Sequence, residues 1–193
     1  NSVNTHRKSR RKIRYNDGAD EIHENRDDRH EECHADCGTG AACRVIPNQN
    51  TLCVATYPGD IAPTLLVLDA EVHLIGPNGL RTMPLQEFYQ LDGMKKNVLE
   101  KGEFLLKITI SDEGASRTGS YQKLRVRDTW DFPEAGVAAS WIPGNASSLK
   151  VATTALESIP RCHPDEVASV LETEWDGMNS VKTLAAEIRK SVK

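Results

Sequence analysis

The sequence predicts an α+β fold, and three observations carry that expectation. Apolar and polar residues alternate from Ala70 to Leu74, the period of a half-buried strand, and Gly102 opens a second well-marked strand from Glu103 to Ser111. An Asn78-Gly79 pair between two strand-like runs is a hairpin signal. Capping residues followed by apolar side chains at helical spacing occur after Asp60, at Pro164 and at Asn179.

Taken in order, residues 1–32 form a polar arm without periodicity. From Asn1 to His34 the apolar side chains are only Val3, Ile13, Tyr15, Ala19, Ile22 and Cys33, too few to offset the entropy of ordering the segment. Residues 33–53 form a cysteine-rich loop, with Gly38, Gly40, Pro47 and three amides at 48–50 as turn formers. Asp60 stands at an N-cap position before a helix over 61–69, where Pro63 falls in the tolerated first turn. Ala70, Val72 and Leu74 lie on one face of a strand that leaves His73 on the polar face. Leu80–Leu85 returns after the hairpin, and Leu85, Phe88 and Tyr89 suggest one turn of helix. Gly102 opens the 103–111 strand, and Asp112-Glu113-Gly114 turns the chain. Residues 120–128 and 134–142 read as strands of an antiparallel meander. Helices run from Pro164 to about Trp175 and from an Asn179-Ser180 cap through Ile188. A small polar stretch at 112–119 suggests a change of unit there.

Charge argues against a nucleic-acid role. The basic run from Arg7 to Arg14 is followed by eight acidic residues from Asp17 to Glu32, and the whole chain carries a formal net charge of −4. No apolar stretch approaches the ~20 residues that span a bilayer. His6, His23 and His30 fall in the polar arm as solvated side chains. Trp130, Trp141 and Trp175 read as core or subunit-interface residues rather than ring stackers. The chain does not begin with Met and stops in a helical run, so it reads as a fragment.

Cys33, Cys37, Cys43 and Cys53 are separated by three, five and nine residues, and the fifth cysteine, Cys162, stands apart. An odd count with four clustered members argues for a metal or redox site in a reducing, cytoplasmic compartment rather than a disulfide framework. Glycines let four such thiolates reach one centre. A zinc site in which His34 replaces a thiolate, and cysteines without any ligand, are the competing readings. Cys162 is given no ligand role.

Three stretches together resemble one family: Cys53 through Phe88 with its Tyr57-Pro58-Gly59-Asp60 turn, Gly102 through Ile108, and Tyr121 through Ala139. They are similar to the medium, FAD-binding subunit of molybdenum hydroxylases, which include xanthine dehydrogenase, carbon monoxide dehydrogenase and 4-hydroxybenzoyl-CoA reductase. The resemblance covers residues 43–193. It implies that residues 54–112 are the second lobe of a PCMH-type FAD-binding domain. Residues 118–193 would then be a CO dehydrogenase flavoprotein C-terminal domain, a three-stranded antiparallel sheet with helices. It further implies FAD as cofactor, an electron-transfer oxidoreductase subunit, and partners in a large molybdopterin subunit and a small [2Fe–2S] subunit.

Residue by residue, the resemblance makes Asp60 the acceptor for the hydroxyls of the flavin's sugar-alcohol chain. Leu105 lies against the isoalloxazine, and Lys123 is a cation near the ring, suited to a reduced anionic flavin. Read without it, Asp60 is only an N-cap, Leu105 only a core strand residue and Lys123 only a solvated strand lysine. Arg127 and Asp131 are expected to form a structural pair. The 4-hydroxybenzoyl-CoA reductase branch carries an extra [4Fe–4S] cluster on a loop placed like 33–53, which implies Cys33, Cys37, Cys43 and Cys53 as ligands. Cys33 departs from the pattern, since the branch's first ligand usually lies further upstream. Residues 1–32 do not resemble the family's N-terminal lobe with its Gly-rich pyrophosphate loops. That departure keeps a second function open: a non-catalytic metal-binding or assembly module that retains the C-terminal fold without FAD.

Overall fold

The computed structural model describes residues 53–192 apart from Met94 and Glu174. The expected polar arm, and Cys33, Cys37 and Cys43, lie outside the described residues. Helix α1 (Ile61–Val67) leads into strands β1 (Glu71–Gly76) and β2 (Gly79–Pro84), then the single turn α2 (Leu85–Phe88) and β3 (Phe104–Thr109). These strands form an antiparallel sheet in the order β2-β1-β3. Gly79 makes the hairpin turn at φ +97°, a conformation that side chains other than glycine's resist. Val72 and Leu74 on β1 are fully buried. On the opposite face, His73 accepts or donates at both ring nitrogens, 2.8 Å from Thr109 Oγ1 and 2.9 Å from Thr82 Oγ1, tying the three strands together.

A short helix α3 (Asp112–Ser116) follows. Ser111 caps it by accepting from the Gly114 amide at 3.1 Å, and Asp112 and Glu113 occupy its first turn, so the expected turn is a capped helix. Strands β4 (Thr118–Leu124), β5 (Ala135–Ile142), β6 (Asn145–Thr154) and the two-residue β7 (Arg161–Cys162) form a second antiparallel sheet in that order. The expected three-stranded antiparallel sheet is present as β4, β5 and β6, with the two-residue β7 added at its edge. Helices α4 (Pro164–Leu171) and α5 (Met178–Ser191) close the fold.

β6 explains the architecture. Ala152 faces a core with Leu66 and Val67 of α1, Val72 and Leu74 of β1, and Ala138 of β5. Its neighbour Val151 faces a second core with Val167 and Val170 of α4 and Leu184 and Ile188 of α5. Successive strand residues point to opposite faces, so helices cover this strand on both sides. Ser140, fully buried on β5, donates to the Val67 carbonyl at 2.6 Å and accepts from Arg117 Nε at 2.9 Å, fixing the end of α1 to the sheet.

Other expectations shift by identifiable causes. β4 ends at Leu124 rather than 128, because the chain leaves the sheet in a loop held by an Arg125–Asp128 pair and a bidentate Arg127–Asp131 pair. The latter is the pair expected from sequence. α4 stops at Leu171, where Thr173 Oγ1 donates back to the Val170 carbonyl. The cap of α5 is not Asn179-Ser180 but a reciprocal arrangement: Asp176 accepts from the Ser180 amide at 2.7 Å while Ser180 Oγ accepts from the Asp176 amide at 3.0 Å. Trp130 is 97% exposed, which rules it out of the core. Among the described residues, no helix is long and apolar enough to cross a membrane.

Candidate functional site: the Asp60–Tyr121–Lys123 cluster

Asp60 sits at the N-cap position of α1, yet its side chain makes no capping bond. Its carboxylate turns to β4 instead. Oδ1 accepts from the Tyr121 hydroxyl at 2.8 Å and Oδ2 pairs with Lys123 Nζ at 2.8 Å. Tyr121 and Lys123 are two apart on one strand and therefore share a face. Lys123 Nζ also donates to the Asp131 carbonyl at 2.9 Å, which pins the 125–134 loop to the same point.

The sheet sets the approach to Asp60 from below. Thr154, at the end of β6 and 1% exposed, directs its hydroxyl to the carbonyls of Tyr57 at 2.8 Å and Gly59 at 3.0 Å, holding the turn that delivers Asp60. The Tyr57 amide and carbonyl also pair with Glu157 and Ala155. Gly136 of β5 lies opposite Lys123 and beside Thr154. A Cβ there would stand 2.6 Å from the Tyr121 hydroxyl, so only a bare backbone lets the phenol cross to the carboxylate.

Electrostatics follow from this packing. Burial pushes the Asp60 carboxyl up, but the hydrogen bonds from Lys123 and Tyr121 together outweigh it and hold its pKa below the ordinary value. Burial first, and the adjacent carboxylate second, push the Tyr121 phenol up, so it remains a neutral donor. Asp60 keeps 43% of its side chain exposed and Lys123 keeps 20%. A carboxylate has about four acceptor positions and an ammonium three donors. With two acceptors and two donors used, the cluster can still receive hydroxyl donors at Asp60 and offer one N–H from Lys123.

Two of the three cofactor-binding residues expected from sequence thus meet directly. The third, Leu105, stands on β3 in the other sheet, in register with Leu74, and is 44% exposed. That exposure removes the reading of Leu105 as a core residue only. It belongs to an apolar surface strand with Phe104 and Leu106. Tyr121 and Thr154 were missed by sequence reasoning. The Tyr-x-Lys spacing on a strand was the available signal for the first; the second had none.

Cys53 is a free, partly buried thiol whose carbonyl accepts from the Gly93 amide at 2.8 Å and Ser158 Oγ at 3.2 Å. The cysteine-loop boundary is therefore anchored to both sheets' surroundings. Among the described residues, no group of three or more His, Cys, Asp or Glu could hold a metal ion. A cavity of about 580 Å³ lies elsewhere, between the end of α1, β6 and α4, lined by Leu66, Asp69, Lys150, Cys162, His163 and Val167 among others; Asp60, Leu105 and Lys123 do not line it.

Residues 48–111 match the family model described as the FAD binding domain in molybdopterin dehydrogenase. The aldehyde oxidoreductase FAD-binding subunit PaoB of Escherichia coli (strain K12) is 33% identical over 91 residues, 45% of this chain and 28% of that protein. Among solved structures, a carbon monoxide dehydrogenase from Hydrogenophaga pseudoflava aligns with TM-score 0.58 and 23% identity, over 68% of this chain and 46% of that one. A reconstituted CO dehydrogenase from Oligotropha carboxidovorans gives TM-score 0.56 and 22% identity, over 66% and 44%. These likenesses establish the mixed helix–sheet fold. The chain spans less than a third of that curated relative and under half of either of these two solved chains.

Proposed function

We propose that this chain is part of an FAD-binding, electron-transfer subunit of a molybdenum hydroxylase. The observation that carries the reading is the meeting of Asp60 and Lys123, 63 residues apart in sequence, in a half-exposed cluster with acceptors and a donor to spare. Lys123 already neutralises Asp60, so a cationic ligand would gain little there. A neutral chain of hydroxyls, such as the ribityl of a flavin, suits the remaining acceptors. Leu105 offers an apolar surface for a flat ring. Bound flavin would supply the redox chemistry; this chain's residues bind and orient it.

The reading extends to a [4Fe–4S] cluster on Cys33, Cys37, Cys43 and Cys53, as in the 4-hydroxybenzoyl-CoA reductase branch. It also extends to a large molybdopterin partner and a small [2Fe–2S] partner, with electrons passing among these centres, and to a cytoplasmic setting that keeps thiols reduced. Residues 54–112 would complete a flavin domain and residues 118–193 the following domain. The match over 48–111 supports flavin over a module that has lost it.

The test is FAD retention by the full chain. Asp60→Asn keeps the shape, removes the charge and weakens retention; equal retention by wild type and variant would refute the role of Asp60. Iron and sulfide analysis after oxygen-free purification tests the cluster. Cys43→Ser should abolish iron binding and leave flavin in place, and full iron content in that variant would refute the ligand set.

A further inference from the structure

We propose that Tyr121 is a positioning residue that locks the Asp60 carboxylate with its outer acceptor positions turned to the ligand. The proposal rests on the flavin reading for the identity of that ligand, but not for the positioning itself. Three observations carry it. The Tyr121 hydroxyl is 2.8 Å from Asp60 Oδ1, on the oxygen that Lys123 does not hold. Gly136 leaves bare the space the phenol crosses, since a Cβ there would come within 2.6 Å of the hydroxyl. Thr154, which a Cβ on Gly136 would also strike at 2.6 Å, holds the two carbonyls just ahead of Asp60. Phenol, ammonium and threonine hydroxyl therefore fix one carboxylate and its backbone from three sides. No local rule for helix starts requires this, because Asp60 does not cap its helix.

Tyr121 donates as a neutral phenol, so its removal has a signature distinct from loss of Lys123. A carboxylate that loses a hydrogen bond made to its charged form binds protons more tightly.

The experiment follows the Asp60 carboxyl by ¹³C NMR titration of the ligand-free full chain, assigned with Asp60→Asn. Tyr121→Phe should raise the proton affinity of Asp60 about tenfold, in line with one bond to a charged group. Gly136→Ala, which displaces the phenol without deleting it, should move it in the same direction. Tyr89→Phe, which removes a part-buried phenol bonded to Tyr57 rather than Asp60, should leave it unmoved. An Asp60 titration unchanged in both Tyr121→Phe and Gly136→Ala overturns the proposal. FAD binding, followed by fluorescence on the same proteins, is the second readout, with about tenfold weaker binding expected for Tyr121→Phe. If wild type binds no FAD yet the titration shifts, the flavin reading fails and the positioning role stands.

Discussion

Replacing Thr154 with Val isolates what the sheet does for the candidate site. The two side chains have nearly the same shape, so no cavity opens, and only the hydroxyl is lost. That hydroxyl serves two carbonyls, Tyr57 at 2.8 Å and Gly59 at 3.0 Å, from a position 1% exposed. The Tyr57 carbonyl also accepts from the Ala155 amide, so the Gly59 carbonyl loses more. A buried polar group left without its partner costs about 1–3 kcal/mol, which puts Thr154→Val near 2 kcal/mol. For a chain of this size that lowers Tm by about 4–8 °C. Thr154→Ser keeps the hydroxyl and gives up one methyl, so it should lose about 1 kcal/mol. Calorimetry on the full chain decides. Thr154→Val as stable as Thr154→Ser would show that the hydroxyl does not hold the turn that delivers Asp60.

Three further outcomes are expected. Leu74→Ala, fully buried on β1, should destabilise by about 2–5 kcal/mol in urea unfolding, through lost burial and the cavity left behind. Hydrogen bonding to Arg127 holds Asp131 at about 2, below the usual 3.8, against the opposing effect of burial. A lowered carboxyl contributes stability above the unfolded value and loses it as pH falls through the folded one, so stability should drop between pH ~4 and ~2, and Arg127→Gln should flatten that fall. Burial, with the Asp69 charge second, pushes the Cys162 thiol up to about 11 against the opposing Lys150. Iodoacetamide at pH 8 should therefore label it at least about tenfold more slowly in the folded chain than in urea, as read by peptide mass spectrometry.

Local signals made the first sheet legible. Asn78-Gly79 and the burial of Val72 and Leu74 needed only short-range chemistry. β6 was missed because Ser147–Thr154 lacks a two-residue alternation. Its last four residues are all buried, and each face carries one apolar residue and one threonine, so no difference in polarity tells the two faces apart. The cluster at Asp60 was half legible. The motif named Asp60 and Lys123 separately, but the contact between them and Tyr121 spans 61 to 63 residues, and no local pattern encodes a pairing of that range. Of the two places expected for Trp130, core or subunit interface, its exposure excludes the core: loop ion pairs hold the backbone in place and leave the indole outside.

The double coverage of β6 has a consequence for how strictly its pairing must be kept. Ala152 fits against α1 and Val151 against α4 and α5, and the two layers require different volumes. A slip of one residue against β5 would press valine into the space fitted to a methyl group and leave the other layer underfilled, while Thr154 would swing away from the turn before Asp60. The alignment of two strands thus doubles as the ruler by which the carboxylate is set, and sequence changes that loosen it should be felt at the surface before the fold itself gives way.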